Sequence, residues 1–402
     1  MKKELLIPLS ILLFLFVGTM LVVAYGRGYR LGFGQGKPEL SGTGLLVATS
    51  SPNGASVFIN GHLTTATDST VNLSPGDYTV RIVKEGYFPW EKKLKIQKEV
   101  VAKAEALLFP VSPKLEGITA SGVKNPTLDP SASRIAHAVA SESARKNGVY
   151  ILDMTNRPIL TLQSASTQIA DDTSDLLSEA WLLWSPDGQE LIASVSAKLG
   201  VQTTYLLKAS GFNENPKDIT ATLSVVQNTW ENDRLEKEKS RRSGLKKDLQ
   251  KLIADNFNII AWSPDETKIL YEASQSAELP LIIKPPLIGA NSTPQERAIK
   301  KDSVYVYDIK EDKNFKILSA SARPKPESEL TLQWFPDSKH LIYVEEKKIN
   351  ILEYDGANKT TIYAGPFVDN YVFPWPNGSK LVILTNLGNE NIPPNLYTIG
   401  LK

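Results

Sequence analysis

The chain begins with one long apolar run and then changes to short apolar stretches separated by polar turns. Leu5 to Tyr25 form 21 consecutive residues without a charged side chain. At about 1.5 Å per residue, a helix of that length spans about 30 Å, the thickness of the hydrocarbon core of a bilayer. The pattern therefore predicts a transmembrane anchor over residues 1–25.

A cleaved signal peptide is the alternative interpretation of this run. Signal peptides have apolar regions of about 7–15 residues that end at a pair of small residues. The run here is longer and ends at Val22-Val23-Ala24-Tyr25, which favours an uncleaved anchor. The flanking charges leave the orientation open, because basic residues lie on both sides: Lys2 and Lys3 before the run, and Arg27, Arg30 and Lys37 after it.

Residues 26–43 carry six glycines. Because glycine adopts many backbone conformations, such a segment is expected to be a flexible linker between the membrane and the first folded domain.

From residue 44 the hydrophobic period shortens to two, which is typical of a strand with one buried face. Tyr78, Val80 and Ile82 alternate with polar residues. Asn60-Gly61 is a strong hairpin signal, since both residues tolerate positive φ. These features predict a small antiparallel β-sandwich over residues 44–110.

Three segments of this region resemble the PEGA domain, in the same order along the chain. They are residues 52–61, beginning Pro52-Asn53-Gly54-Ala55, then Leu73-Ser74-Pro75-Gly76-Asp77-Tyr78, and then Lys84-Glu85-Gly86-Tyr87. The second letter of the name-giving tetrapeptide differs, because Asn53 stands there. The resemblance implies a non-catalytic domain outside the cytoplasmic membrane, and it places the body of this chain on that side.

Beyond residue 110 a proline-containing turn recurs five times, each copy followed by a short apolar strand. Each copy also holds an aspartate or asparagine, whose side chain accepts backbone N–H bonds in turns. The copies are Leu128-Asp129-Pro130-Ser131, Trp184-Ser185-Pro186-Asp187, Trp262-Ser263-Pro264-Asp265, Trp334-Phe335-Pro336-Asp337 and Trp375-Pro376-Asn377-Gly378.

Around the fourth copy, apolar stretches predict four antiparallel strands in about 35–40 residues, the size of one propeller blade. The repeat resembles that of TolB-type β-propellers, in which this turn occurs once per blade. The resemblance implies a propeller over residues 111–402 and so an all-β fold class for the chain. The spacing of the copies leaves the blade number at about five to seven.

Two segments interrupt the repeats. Residues 226–256 are rich in charge and have a partial helical stripe, with Ser243-Gly244 as a break, so a helical insertion is expected there. It is either a docking arm or a solvated helix packed on the rim. Residues 274–302 contain four prolines and are expected to form a long ordered loop between two strands of one blade.

Composition narrows the function classes. The 45 basic and 44 acidic residues give a net charge of +1, which offers no field to attract nucleic acid. The absence of cysteine excludes disulfides, thiolate zinc sites and cysteine nucleophiles.

Candidate chemistry is sparse. His62, His137 and His340 lie far apart in sequence, and we expect them to be exposed or core residues instead of bases or metal ligands. The acidic cluster Asp171, Asp172 and Asp175 matches no calcium loop and is interpreted as a solvated loop. No phosphate-binding loop or nucleophile elbow occurs in its structural context. The sequence therefore predicts no catalytic, cofactor-binding or metal-binding residues.

These observations predict a non-catalytic, membrane-anchored binding or scaffold protein of the cell envelope. Its N-terminus would be cytoplasmic and its body extracytoplasmic. Its partners would be the membrane, through Leu5 to Tyr25, and a cell-wall polymer, surface layer or envelope protein. One alternative is a hydrolase or lyase with polar residues converging on the propeller channel. Another is an extracytoplasmic sensor module that works through a membrane partner.

Overall fold

The structure is a computed structural model that describes residues 3–26, 29–34, 37–140, 143–155, 166–196, 202–322, 332–368 and 370–402. It divides into two compact units. Unit 1 comprises Met1–Val111 together with Ile283–Gln295, and unit 2 comprises Ser112–Ile282 together with Glu296–Lys402.

The apolar run forms helix α1, Lys3–Gly26. Its described side chains include fourteen large apolar groups that are exposed, among them Ile7, Phe14, Met20 and Tyr25. Within the part of the chain that the structure describes, no helix meets the combined length and hydropathy of a membrane span.

The segment predicted as a flexible linker contains a β-hairpin instead. Strands β1, Tyr29–Gly34, and β2, Lys37–Gly42, pair antiparallel, so that Tyr29 lies opposite Gly42. A high glycine content indicates backbone freedom, but it does not tell whether two segments pair as strands. Antiparallel pairing is favourable here because it satisfies the backbone N–H and C=O groups of both strands.

The rest of unit 1 is a sandwich of two sheets. One sheet has the order β6-β3-β9 and the other β5-β4-β7-β8. The strands are β3 Gly44–Ser51, β4 Ser56–Ile59, β5 His62–Ala66, β6 Ser69–Leu73, β7 Gly76–Val83, β8 Trp90–Ile96 and β9 Val101–Leu107. Alternate apolar residues of both sheets form its core, such as Leu46 on β3 of the first sheet and Val57 and Ile82 on β4 and β7 of the second. The expectation of a wholly antiparallel sandwich is wrong, because β3 and β9 run parallel.

The hairpin predicted at Asn60-Gly61 is confirmed. Ile59 pairs with His62, and the two turn residues have φ of 49° and 83°. Positive φ at both positions gives the turn a twist that matches that of the flanking strands.

The part of unit 1 that is distant in sequence, residues 283–295, lies against the β8–β9 turn. The backbone N–H of Gly289 donates to Oε1 of Gln97 at 3.1 Å, and that of Lys95 donates to Oγ of Ser292 at 3.0 Å. We call residues 283–295 the strap.

Unit 2 contains five four-stranded antiparallel sheets among its described residues. Sheet 1 is β11 Lys124–Leu128, β12 Arg134–Val139, β13 Gly148–Asp153 and β14 Ser166–Asp171; sheet 2 is β15 Trp181–Trp184, β16 Glu190–Ser196, β17 Gln202–Lys208 and β18 Lys217–Asp218. Sheet 3 is β19 Phe257–Trp262, β20 Lys268–Ala273, β23 Val304–Asp308 and β24 Lys313–Leu318, with the small pair β21 Ala277–Glu278 and β22 Ala298–Ile299 inserted between β20 and β23. Sheet 4 is β25 Leu332–Trp334, β26 His340–Glu345, β27 Lys348–Glu353 and β28 Thr360–Ala364; sheet 5 is β29 Val372–Pro374, β30 Lys380–Thr385, β31 Asn395–Gly400 and β10 Leu115–Gly117.

The fifth sheet joins the two ends of unit 2. Its outermost strand, β10, comes from the start of the unit and pairs with β31, with Leu115 opposite Ile399. Buried clusters also join sheet 1 to sheet 2, sheet 3 to sheet 4, and sheet 5 to sheet 1. Consecutive four-stranded sheets closed by a strand from the opposite end are the architecture of a β-propeller. The predicted propeller is confirmed, with five blades in the described residues.

The helical insertion is confirmed as two helices that follow sheet 2. Helix α2 is Leu223–Ser243 and helix α3 is Lys247–Asn256, with the predicted break at Gly244 between them. Three residues of α3, Leu249, Leu252 and Ile253, are buried against sheet 3.

Candidate functional site

The repeated aspartates shape turns, as the sequence predicts. Oδ1 of Asp187, of Asp265 and of Asp337 each accepts the backbone N–H two residues later, at 2.8–3.1 Å. In the first repeat the pattern shifts, and buried Asp129 accepts the N–H groups of Ser133 and Arg134. These carboxylates are hydrogen-bonded within their own turns, where they shape the backbone.

The three histidines are placed apart. His62 is exposed on β5 of unit 1, whereas His137 and His340 are buried on β12 and β26. Nδ1 of His340 lies 2.6 Å from Oδ2 of the turn residue Asp337. Burial acts to raise the pKa of Asp337, but this contact, together with the backbone N–H groups of Lys339 and His340, holds that pKa below its usual value. Among the described residues no cluster of histidines and carboxylates is arranged to hold a metal ion.

The predicted acidic loop also has a structural role. Oδ1 of Asp171 accepts the N–H of Thr173 at 3.1 Å, and Oδ1 of Asp172 accepts that of Ser178 at 2.8 Å. Oδ2 of Asp175 accepts a hydrogen bond from the hydroxyl of Tyr205 at 3.0 Å. Each of the three carboxylates therefore accepts a hydrogen bond from a nearby backbone or side-chain group of the protein.

A cluster of tyrosine, arginine and aspartate side chains lies buried in sheet 3. Oδ1 of Asp312 accepts hydrogen bonds from the Tyr307 hydroxyl at 2.5 Å and from Nη2 of Arg297 at 2.8 Å. Its Oδ2 accepts the backbone N–H of Ile282 at 2.7 Å. Burial raises the pKa of Tyr307, and that of Tyr271 beside it, so both remain neutral.

This cluster holds the two stems of the insertion that contains the strap. Arg297 lies in the segment that follows the strap, and it also donates to the carbonyl of Pro280, in the segment that precedes the strap, at 2.7 Å. It therefore links the two stems. Nδ2 of Asn314 donates to the carbonyl of Glu296 at 2.7 Å. The carboxylate of Asp312 and the hydroxyl of Tyr307 are buried and hydrogen-bonded, and in Arg297 only Nε has no partner among the described residues. The arrangement therefore fixes the loop instead of presenting reactive groups to a substrate.

The innermost strands of sheets 2 and 3 carry the apolar groups that do face solvent. Trp181 and Leu183 on β15 are 64% and 42% exposed, and Ile260 on β19 is 41% exposed. The matching strands of sheets 4 and 5 bury Leu332, Trp334 and the whole of β29. Exposed large apolar groups on an inner strand are unusual in a propeller, where both faces pack on neighbouring blades. We call these three residues the inner patch.

The tryptophans that begin the repeated turns differ in their hydrogen-bond partners. Trp184 and Trp334 each donate their indole N–H to a carbonyl of the preceding sheet, at Thr127 and Ala261. The equivalent Trp262 donates instead to Oε2 of Glu238 on α2, at 2.8 Å. On sheet 2, Trp230 of the same helix packs against a cluster of Ile192, Ile219 and their neighbours. Helix α2 therefore contacts both sheets at this junction.

The sequence contains no signal that distinguishes the inner patch. Trp181-Leu182-Leu183-Trp184 is apolar at all four positions, which is typical of a strand buried on both faces. The structure buries only Leu182 and Trp184.

Comparison with known proteins identifies one domain. The model of the PEGA domain family matches residues 43–110. No curated protein matches the chain in sequence.

Several solved structures share a distant likeness over most of the chain. A protein from Agrobacterium tumefaciens provisionally identified as TolB is 14% identical, with 68% of this chain and 78% of that chain covered and a TM-score of 0.23. TolB from Acinetobacter baumannii is 15% identical, with 81% and 60% covered and a TM-score of 0.25. Hydrazine synthase of Kuenenia stuttgartiensis is 14% identical, with 92% and 99% covered and a TM-score of 0.21.

The propeller assignment rests on the sheet topology of unit 2, and the PEGA assignment rests on the family match. Residues 43–110 are a PEGA domain, and the same chain continues into a β-propeller.

Proposed function

We propose that this chain is a membrane-anchored binding or scaffold protein of the cell envelope, with its body outside the cytoplasm. Helix α1 would anchor it, the PEGA domain would lie next to the membrane, and the propeller would present the inner patch to a partner. The observation that carries the binding role is the exposure of Trp181 on an inner strand, because tryptophan is enriched among the residues that dominate binding energy.

Anchoring is supported by the surface of α1. Its 24 residues correspond to about 36 Å of helix, and its described apolar side chains are exposed on all sides. A helix that is apolar all round is stable only when it is covered by protein or lipid.

Replacing Leu13 with arginine is expected to release the full-length protein from membranes. An arginine at the centre of a spanning helix costs about 2.5–3.5 kcal/mol for insertion. Alkaline carbonate extraction of membranes measures the effect. The Leu63→Arg variant, which alters an exposed leucine on β5, is the control and should remain in the membrane pellet with the wild type. Extraction of the wild type itself would contradict the anchor.

A reporter fused to the C-terminus tests the orientation, and cytoplasmic activity of that reporter would overturn it.

Replacing Trp181 with alanine is expected to weaken retention of the protein on isolated cell envelopes by about tenfold or more, since a buried aromatic anchor contributes about 2 kcal/mol to an interface. Co-sedimentation over a range of envelope concentrations measures retention. Phe212→Ala, at another exposed aromatic residue of unit 2, should bind like the wild type. If the wild type is not retained, the binding role fails. If both variants bind equally, the inner patch is not the binding surface.

A further inference from the structure

Among the described side chains of unit 1 outside α1, the tip of the strap holds the most exposed large apolar residue, Ile288. Residues 285–289 are five consecutive exposed positions, and Leu287 and Ile288 among them are 47% and 77% exposed. Val101, at the start of β9, is another exposed apolar residue of the same unit. Exposure of large apolar side chains to water is unfavourable, and a cluster of them on a surface indicates a site that another molecule or a membrane covers.

Contacts with the β8–β9 turn hold the tip of the strap in position. Gly289 bonds to Gln97, and a Cβ atom at Gly289 would lie 2.9 Å from Cγ1 of Val100. Ser292 accepts the backbone N–H of Lys95. The exposed pair at 287 and 288 is therefore held immediately beside the β8–β9 turn.

The same turn borders the place where the chain reaches the sandwich from α1. The N–H of Glu99 donates to the carbonyl of Thr43, and the N–H of Leu45 to that of Val100, both at 3.0 Å. The Lys98 side chain packs where a Cβ at Gly42 would lie.

The hairpin of β1 and β2 returns the chain toward helix α1, so the end of β2 lies beside the start of β1. Gly42 is paired with Tyr29, which follows the last residue of α1, Gly26, by only three positions. Three residues span at most about 11 Å. The end of the sandwich that carries the strap tip is thus the end next to α1.

The charges around the tip suit an anionic surface. Lys95, Lys98 and Lys284 are exposed near it, and the acidic group of the β8–β9 turn is Glu99. Lysine next to exposed apolar residues is the pattern with which proteins bind the interface of anionic bilayers.

We infer that the strap tip is a second membrane contact, in which Leu287 and Ile288 insert into the interfacial region of an anionic bilayer beside the anchor. This inference rests on the proposed membrane anchoring. It assigns the insertion in the third propeller sheet a role in holding the PEGA domain against the lipid surface.

Fluorescence at single cysteines tests the inference, because the natural chain has none. Ile288→Cys in the full-length protein is labelled with an environment-sensitive dye and reconstituted into vesicles of phosphatidylcholine and phosphatidylglycerol that contain brominated acyl chains. Leu63→Cys is the matched control, since Leu63 is also a large apolar residue and is 65% exposed, but it lies on β5, the opposite edge of its sheet from β8.

We expect bromine to quench the dye at position 288 several-fold more strongly than the dye at position 63, and less strongly in pure phosphatidylcholine. Equal quenching at both positions, in protein that floats with the vesicles, would overturn the strap contact and leave the anchor intact. Equal quenching of position 288 in both lipids would overturn the preference for anionic lipid. Protein that does not float would overturn the anchor and the strap contact together.

Discussion

Replacing Asp312 with alanine is expected to lower the free energy of unfolding of unit 2 by about 3–5 kcal/mol. The change removes the carboxylate that accepts hydrogen bonds from Tyr307, Arg297 and the backbone of Ile282. It leaves the Arg297 guanidinium buried without its counter-ion, and an uncompensated buried charge is costly because the interior solvates it poorly. The lost hydrogen bonds of Tyr307 and Ile282 add to that cost.

Urea unfolding followed by tryptophan fluorescence measures the effect, because six of the seven tryptophans lie in unit 2. Arg234→Ala is the matched control. It breaks the exposed ion pair with Glu231 on α2 and should cost well under about 1 kcal/mol. Hydrogen exchange should also show faster opening of residues 279–282 and 296–299, where the stems are held. A loss below about 1 kcal/mol for the alanine variant would show that the buried cluster does not stabilise the unit.

Acidification is expected to destabilise unit 2 through His137. This side chain is fully buried, and burial lowers its pKa from 6.5 to about 4, although a backbone hydrogen bond to Ile135 acts in the opposite direction. The unfolded chain therefore binds a proton between pH 6.5 and 4 that the folded chain does not. The stability that His137 provides is complete above pH 6.5 and decreases as the pH falls, by about 2 kcal/mol at pH 5 and about 3 kcal/mol at pH 4.

His137→Phe isolates this contribution from that of the carboxylates. Phenylalanine preserves the stacking on Tyr150, whose ring centroid lies 5.9 Å away. It also removes an Nδ1 atom that has no hydrogen-bond partner among the described residues. The variant should match or exceed the wild type in stability at pH 7.5 and lose less on acidification. If the free energy of unfolding of the two proteins falls by the same amount between pH 7.5 and 4.5, His137 is not the responsive group.

What the sequence predicts well here is local. The Asn60-Gly61 turn, the aspartate turns of the repeats and the break at Gly244 each depend on the chemistry of a few adjacent residues. Those residues therefore report their own backbone conformation wherever the rest of the chain lies.

What the sequence does not predict is mostly non-local. Whether β9 pairs with β3 in parallel, or β1 with β2 at all, depends on which strands meet, and side-chain alternation is the same for either partner. The inner patch is not predicted either, because Trp181 and Leu183 alternate with the buried Leu182 and Trp184 in a strand that is apolar at every position. The buried cluster around Asp312 likewise draws its members from separate strands and loops.

The strap also affects the order in which the protein can mature. The first 111 residues of unit 1 leave the ribosome long before residues 283–295 are made. Until then the β8–β9 turn lacks the partners of Gln97 and of the Lys95 backbone. The PEGA domain of this chain is thus completed late, by a segment encoded within the propeller. A fragment that ends at Val111 would expose a surface that the full-length protein covers, and its behaviour should not be taken for that of the native domain.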